Sequence, residues 1–243
     1  MDDRRTAEGL DNALLAAVRE GRASTDNLRR LVAAEAQCHQ AEMTAYGVML
    51  TRFPGRPAAT LYVTLSQLVN GARPKLTACA EELGMDPDNL WLRPRDRRTF
   101  AFAGALSWIA LNGSQAATAL ALHTDMAVYF PQCEQLVRDI GSSKIEAPDS
   151  FLDYYASGGS QELLDLAADV VADGLSQGDD PEAAAFMADL LWRSIDDLWR
   201  AAAGDAEDEG ASAGGGDEGV SAGTGGGAEP SAGAANGPAG PDG

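Results

Sequence analysis

Apolar residues recur along this chain at spacings of three and four, and nowhere in the strict alternation of a half-buried strand, so the pattern predicts helices throughout. Leu10, Leu14, Leu15 and Val18 mark a first helix over residues 8–20, closed by Gly21. Ser24-Thr25-Asp26-Asn27 is a cluster of capping residues, and a long helix follows from Leu28 to about Leu50. Phe53-Pro54-Gly55-Arg56-Pro57 breaks it. Leu61, Leu65, Leu68 and Val69 carry a third helix, with Pro74 kinking it or separating it from Leu76 to Leu83. Residues 86–98 read as a polar loop pinned by Trp91, and Phe102, Leu106, Ile109 and Ala110 form the next helix, starting at Thr99. A short turn over Phe151 to Tyr155, a helix through Leu163, Ala167, Val170 and Leu175, and a last one opened by Asp180-Pro181 complete the chain.

The stretch from Gly113 to Ile140 stands apart. Ser114 can cap it, and Ala117, Leu120, Ala121, Met126, Ala127, Val128, Tyr129 and Phe130 leave only a narrow wet strip, which predicts a mostly buried helix kinked or ended at Pro131. His123, Thr124 and Asp125 interrupt that apolar run. Polar groups inside a core need partners or a purpose, so these three are expected to line a pocket. About eight helices without a sheet predict an all-α bundle.

Composition changes the picture at the carboxyl end. Residues 204–243 contain no Phe, Trp, Tyr, Leu, Ile or Met, and their eight acids face no base, so a disordered acidic Gly/Ala-rich tail is expected there. The whole chain carries a formal charge of −19, which leaves about −11 on residues 1–203. That charge would repel phosphate backbones, and the one dense basic run, Arg93 to Arg98, falls in the expected loop, so no direct nucleic-acid binding is expected. No signal-peptide pattern and no membrane-length apolar run occur, which predicts a cytoplasmic location without membrane contact. Cys38, Cys79 and Cys133 are widely spaced and odd in number, so neither a disulfide framework nor a zinc knuckle is expected.

Three segments resemble the TenA or thiaminase II family, relatives of PqqC with a haem oxygenase-like helical fold. They are Phe151-Leu152-Asp153-Tyr154-Tyr155-Ala156-Ser157, the helix pair from Phe102 to Tyr129 joined at Gly113-Ser114, and the closing Ile195-Asp196-Asp197-Leu198-Trp199. The resemblance spans about residues 25–203. It divides the chain into an N-terminal helical extension (1–24), the TenA-like domain (25–203) and the tail (204–243).

The resemblance also implies hydrolysis of thiamine or its degraded pyrimidine by a cysteine nucleophile and a glutamate acid/base, with an aspartate and aromatics holding the aminopyrimidine. Here the nucleophile's position falls at Thr124, the glutamate's at Ile195 and the aspartate's at Glu35. Pocket aromatics fall at Phe102, Tyr155 and Val128, with Tyr129 next to the last, and His39 lies one turn from Glu35. Threonine needs a positioned base where cysteine does not, and His123 and Asp125 project about 100° away from it on either side. Cys133 is expected to lie too far along the helix to substitute. The implied protein is therefore a divergent small-molecule binder whose thiaminase machinery is replaced. A non-catalytic regulator and a metal-dependent oxygenase of the same fold are the alternatives, and a homo-oligomer is implied by the family.

Glu35, His39 and Glu42 share one helical face and resemble part of a helical di-iron site, but only His123 could supply a second histidine, so neither a metal nor a cofactor is expected. Asp196 and Asp197 read as solvated acids. Trp108, Trp192 and Trp199 read as core, while Tyr46, Tyr62 and Tyr154 stay unplaced. Deleting the residues after Ala203 is expected to leave the melting temperature nearly unchanged by calorimetry; a large drop would mean that the tail docks.

Overall fold

The computed structural model describes residues 12–90, 97–157 and 159–204. Among them are eight helices and no strand: α1 (Ala13–Arg19), α2 (Thr25–Arg52), α3 (Ala58–Glu82), α4 (Arg97–Asn112), α5 (Gln115–Gly141), α6 (Asp149–Tyr155), α7 (Gln161–Ser176) and α8 (Pro181–Ala203). The expected tail beyond Gly204, residues 8–11 of the expected first helix and Trp91 lie outside the described residues.

The caps predicted at Ser114 and Asp180 close the helices they should, and Asn12, not singled out from sequence, caps α1. Asn12 Oδ1 accepts from the Leu15 amide at 2.9 Å, Ser114 Oγ from Ala117 at 3.3 Å, and Asp180 Oδ1 from Glu182 at 2.9 Å, with Pro181 in the first turn. Each satisfies an amide that the helix itself leaves orphaned. Asn27 works twice. Its Oδ1 accepts from the Ser24 amide, and its Nδ2 donates to the Ala202 and Ala203 carbonyls at 3.0 and 2.8 Å, tying the start of α2 to the end of α8.

Neither proline ends its helix. Pro74 lies inside α3 and Pro131 inside α5. A proline interior to a helix costs ~3 kcal/mol, but both flanks here are buried, by Val69 and Leu76 around Pro74 and by Met126, Cys133 and Leu136 around Pro131. Burying one such side chain contributes ~1.5–3 kcal/mol, so packing holds the helix continuous.

Helix α5 packs against α8, α7, α1 and α6, while α2 packs against α3, α4 and α8. Trp199, Tyr62, Tyr155 and Phe151 fill the core, and the buried Tyr62 hydroxyl pairs with Thr118 Oγ1 at 2.8 Å. Two expectations are corrected. Trp108 is 55% exposed, because Phe102, Leu106 and Ile109 take the core face of α4 and a residue two positions from Leu106 points about 200° away. Arg97 and Arg98 belong to α4 rather than to a loop.

Gly174 marks the closest approach of α7 to α5. A Cβ there would stand 2.7 Å from the Ala116 amide nitrogen and 2.6 Å from Asp179 Oδ2, the carboxylate that accepts from that amide at 2.8 Å. Gly174→Ala is expected to destabilise the protein by ~1–3 kcal/mol, read from urea unfolding.

Candidate ligand-binding site

A cavity of about 420 Å³ opens between α2, α3, α5 and the α6–α7 corner. Two helical faces supply most of its chemistry. On α2, Glu35, His39, Glu42 and Tyr46 follow one another at steps of four, three and four, and on α5 Asp125, Tyr129 and Cys133 do so at steps of four. Residues so spaced lie one above another on a helix. Tyr154 and Tyr155 close the wall from α6.

Glu35 is 7% exposed and lies at the centre of a hydrogen-bonded chain. Tyr129 donates to its Oε2 at 2.7 Å, and Tyr154 donates to its Oε1 at 3.3 Å. The Tyr154 hydroxyl also meets His39 Nε2 at 3.0 Å. A phenol has one proton to give, so while Tyr154 donates to Glu35 the imidazole N–H donates to the Tyr154 oxygen. Cys133 lies one turn beyond Tyr129 on the same cavity face of α5. The Tyr129 ring stacks on Trp199 at a centroid distance of 5.6 Å, which fixes its hydroxyl toward Glu35.

Burial dominates the electrostatics. It pushes Glu35 up to about 7, against the opposing pull of the Tyr129 and Tyr154 hydroxyls. Burial, then the Glu35 charge, raises Asp125 to about 7. Burial followed by the charges of Glu35 and Asp125 holds Glu42 well above the carboxylate range. Burial, then the Arg73 charge, lowers His39 to about 4. The 3.7 Å between His39 Nε2 and Glu35 Oε1 is therefore a contact of neutral imidazole, not an ion pair, at neutral pH. The Cys133 thiol is held well above its ordinary range by burial, which keeps it protonated.

Of the residues singled out from sequence, Glu35, His39, Tyr129 and Tyr155 line this cavity. The others are placed elsewhere. Phe102 and Ile195 are buried in the core, Val128 is half-buried against it, and Thr124 Oγ1 donates to the Leu120 carbonyl of its own helix at 2.8 Å. The reason is angular: the cavity face of α5 runs through 125, 129 and 133, so Thr124 and Val128 stand about 100° away from it. Of the His123-Thr124-Asp125 group only Asp125 lines the wall. Cys133, expected to be too distant, also lines it, because α5 runs through Pro131 as one helix. Tyr46, Glu42 and Tyr154 complete the site, and the unbroken steps of three and four on α2 were the signal for the first two. Asp196 pairs with Arg200 at 2.8 Å on α8. Among the described residues, no group of three or more His, Cys, Asp or Glu stands close enough together to hold a metal ion, and no helix is long and apolar enough to cross a membrane.

Helices stacked around a buried acidic, tyrosine-walled cavity make an all-α fold with a small-molecule-sized interior. Two solved structures that share this fold are TenA homologues. The TenA homologue of Pyrococcus furiosus superposes with a TM-score of 0.58 at 14% identity, covering 82% of this chain and 93% of its own. The TenA homologue of P. horikoshii OT3 gives 0.59 at 13%, covering 79% and 90%. No protein-family model and no curated protein sequence matches the chain.

A carboxyl group whose pKa is raised by burial weakens the fold as pH climbs from its unfolded value toward its folded one, because only the unfolded chain has then released its proton. For Glu35 that window runs from about 4.5 to about 7. Glu35→Gln removes this penalty, so its stability relative to wild type is expected to rise by ~2–3 kcal/mol between pH 4 and pH 8, measured by denaturant unfolding at each pH. A difference that does not change with pH would refute the assignment.

Proposed function

We propose that this chain is a divergent TenA-like protein that binds a small nitrogen-containing organic molecule, a thiamine-related or other heteroaromatic, in the cavity around Glu35. The observation that carries this reading is the Glu35 carboxyl itself, buried at the wall of an aromatic cavity of about 420 Å³ and oriented by two tyrosine hydroxyls. Such a group offers directed acceptors to ring or exocyclic N–H groups, with rings alongside for stacking. The fold is the one shared with the TenA homologues.

Replacement of the thiaminase machinery is part of the proposal. The hydroxyl at Thr124 is engaged with its own helix, and Ile195 is a core residue, so neither position supplies a nucleophile or a proton donor to the cavity. Cys133 stands in the wall as a protonated thiol, a poor nucleophile in that state.

A thermal-shift screen of thiamine, its pyrimidine fragments and related heteroaromatics tests the reading, since a ligand that binds only the folded state raises its melting temperature. At least one of these compounds is expected to give a shift that Glu35→Gln and Tyr154→Phe reduce. No shift with any of them would remove the support for a heteroaromatic ligand.

A further inference from the structure

Glu35 and Glu42 stand seven residues apart on α2, which separates their backbone positions by ~10 Å along the helix axis. Both line the one cavity, so it has two acidic ends. At the first end Glu35 is met by Tyr129 and Tyr154. Toward the second, Glu42 accepts from the Tyr46 hydroxyl at 3.5 Å, and Asp125 faces the cavity from α5. The charges that act most strongly on Glu42 are those of Glu35 and Asp125, and the charge that acts on Asp125 is that of Glu35, so the ends repel each other. Basic groups nearby are Lys75, which is exposed and lines the cavity, and Arg73, whose charge acts on His39.

Two further observations point to an occupant. The Tyr155 hydroxyl and His39 Nδ1 have no hydrogen-bond partner, although their residues are only 2% and 3% exposed and both belong to the cavity wall. Around them stand Tyr46, Tyr129, Phe130 and Tyr154, whose rings favour a cation placed over their faces. Carboxyl groups gathered in a low-dielectric space hold their protons until a cation enters, and one small cation reaches only one end.

We propose that the cavity takes an elongated organic dication, a ligand with a protonated amine at each end, one held by Glu35 with Tyr154 and the other by Glu42 with Asp125 and Tyr46. This inference rests on the cavity being the ligand site, and it adds a chain-separated second amine to what the ligand must carry. Binding such a ligand at neutral pH drives Glu35 and Asp125 toward their charged forms and releases protons, because both titrate near 7 in the free protein.

Calorimetric titration of the full chain with putrescine, and with butylamine as a single-amine control of the same length, tests it. Putrescine is expected to bind at least about tenfold more tightly, with a heat that varies with the buffer's ionisation enthalpy in the sense of proton release. Glu42→Gln is expected to erase the difference between the two amines. Asp125→Asn serves as a second variant should Glu42→Gln fail to fold. Equal affinity for the two amines, or a preference that survives both substitutions, would overturn the dication. An aminopyrimidine shift without putrescine binding would overturn it while sparing the heteroaromatic site, and no binding by any probe would overturn both.

Discussion

The cavity depends on one constraint: a carboxyl group at position 35 has been taken out of water and has to be held by something. Two tyrosine hydroxyls from different helices do so, Tyr129 of α5 and Tyr154 of α6. The resulting chain runs from Tyr129 through Glu35 and Tyr154 to His39, and its members belong to three helices. Each hydrogen bond to a charged or partly charged acceptor contributes ~1.5–3 kcal/mol, comparable with burying a large apolar side chain. The polar chain therefore helps to set how α2, α5 and α6 meet, and Trp199 braces it from α8 by stacking on Tyr129.

Much of this fold was legible in the sequence because it rests on local signals. Ser114, Asp180 and Pro181 mark helix starts by chemistry that needs no tertiary partner, and the spacing of Leu28, Leu31, Val32 and Met49 shows which face of α2 is buried. The prolines were harder. Position alone says that Pro74 and Pro131 oppose a helix, but only packing on both sides decides that the helix continues. Trp108 shows the converse: bulk favours burial, yet the angle at which α4 presents it leaves the ring outside.

The site was legible in part, and the missing part is angular. Glu35 was placed by the family resemblance and His39 by lying one turn from it, and their neighbours Glu42 and Tyr46 continue that helical face. On α5 an offset of a single residue moves a side chain about 100° around the axis, enough to exchange Thr124 and Val128 for Asp125 and Tyr129. No periodicity distinguishes those two registers when both faces are largely apolar. Cys133 was set aside for its distance along the helix from Thr124, yet it lies on the 125, 129 and 133 face that lines the cavity.

The raised carboxyl groups have a consequence for how this protein can change. Glutamine or asparagine at positions 35, 42 or 125 relieves a repulsive, dehydrated charge, so substitutions that improve heat resistance are concentrated where the cavity keeps its chemistry. Engineering or selection for endurance alone would erode the interior before it touched the Asn27 tie or the caps. In the proposed ligand site, durability and recognition compete for the same three side chains.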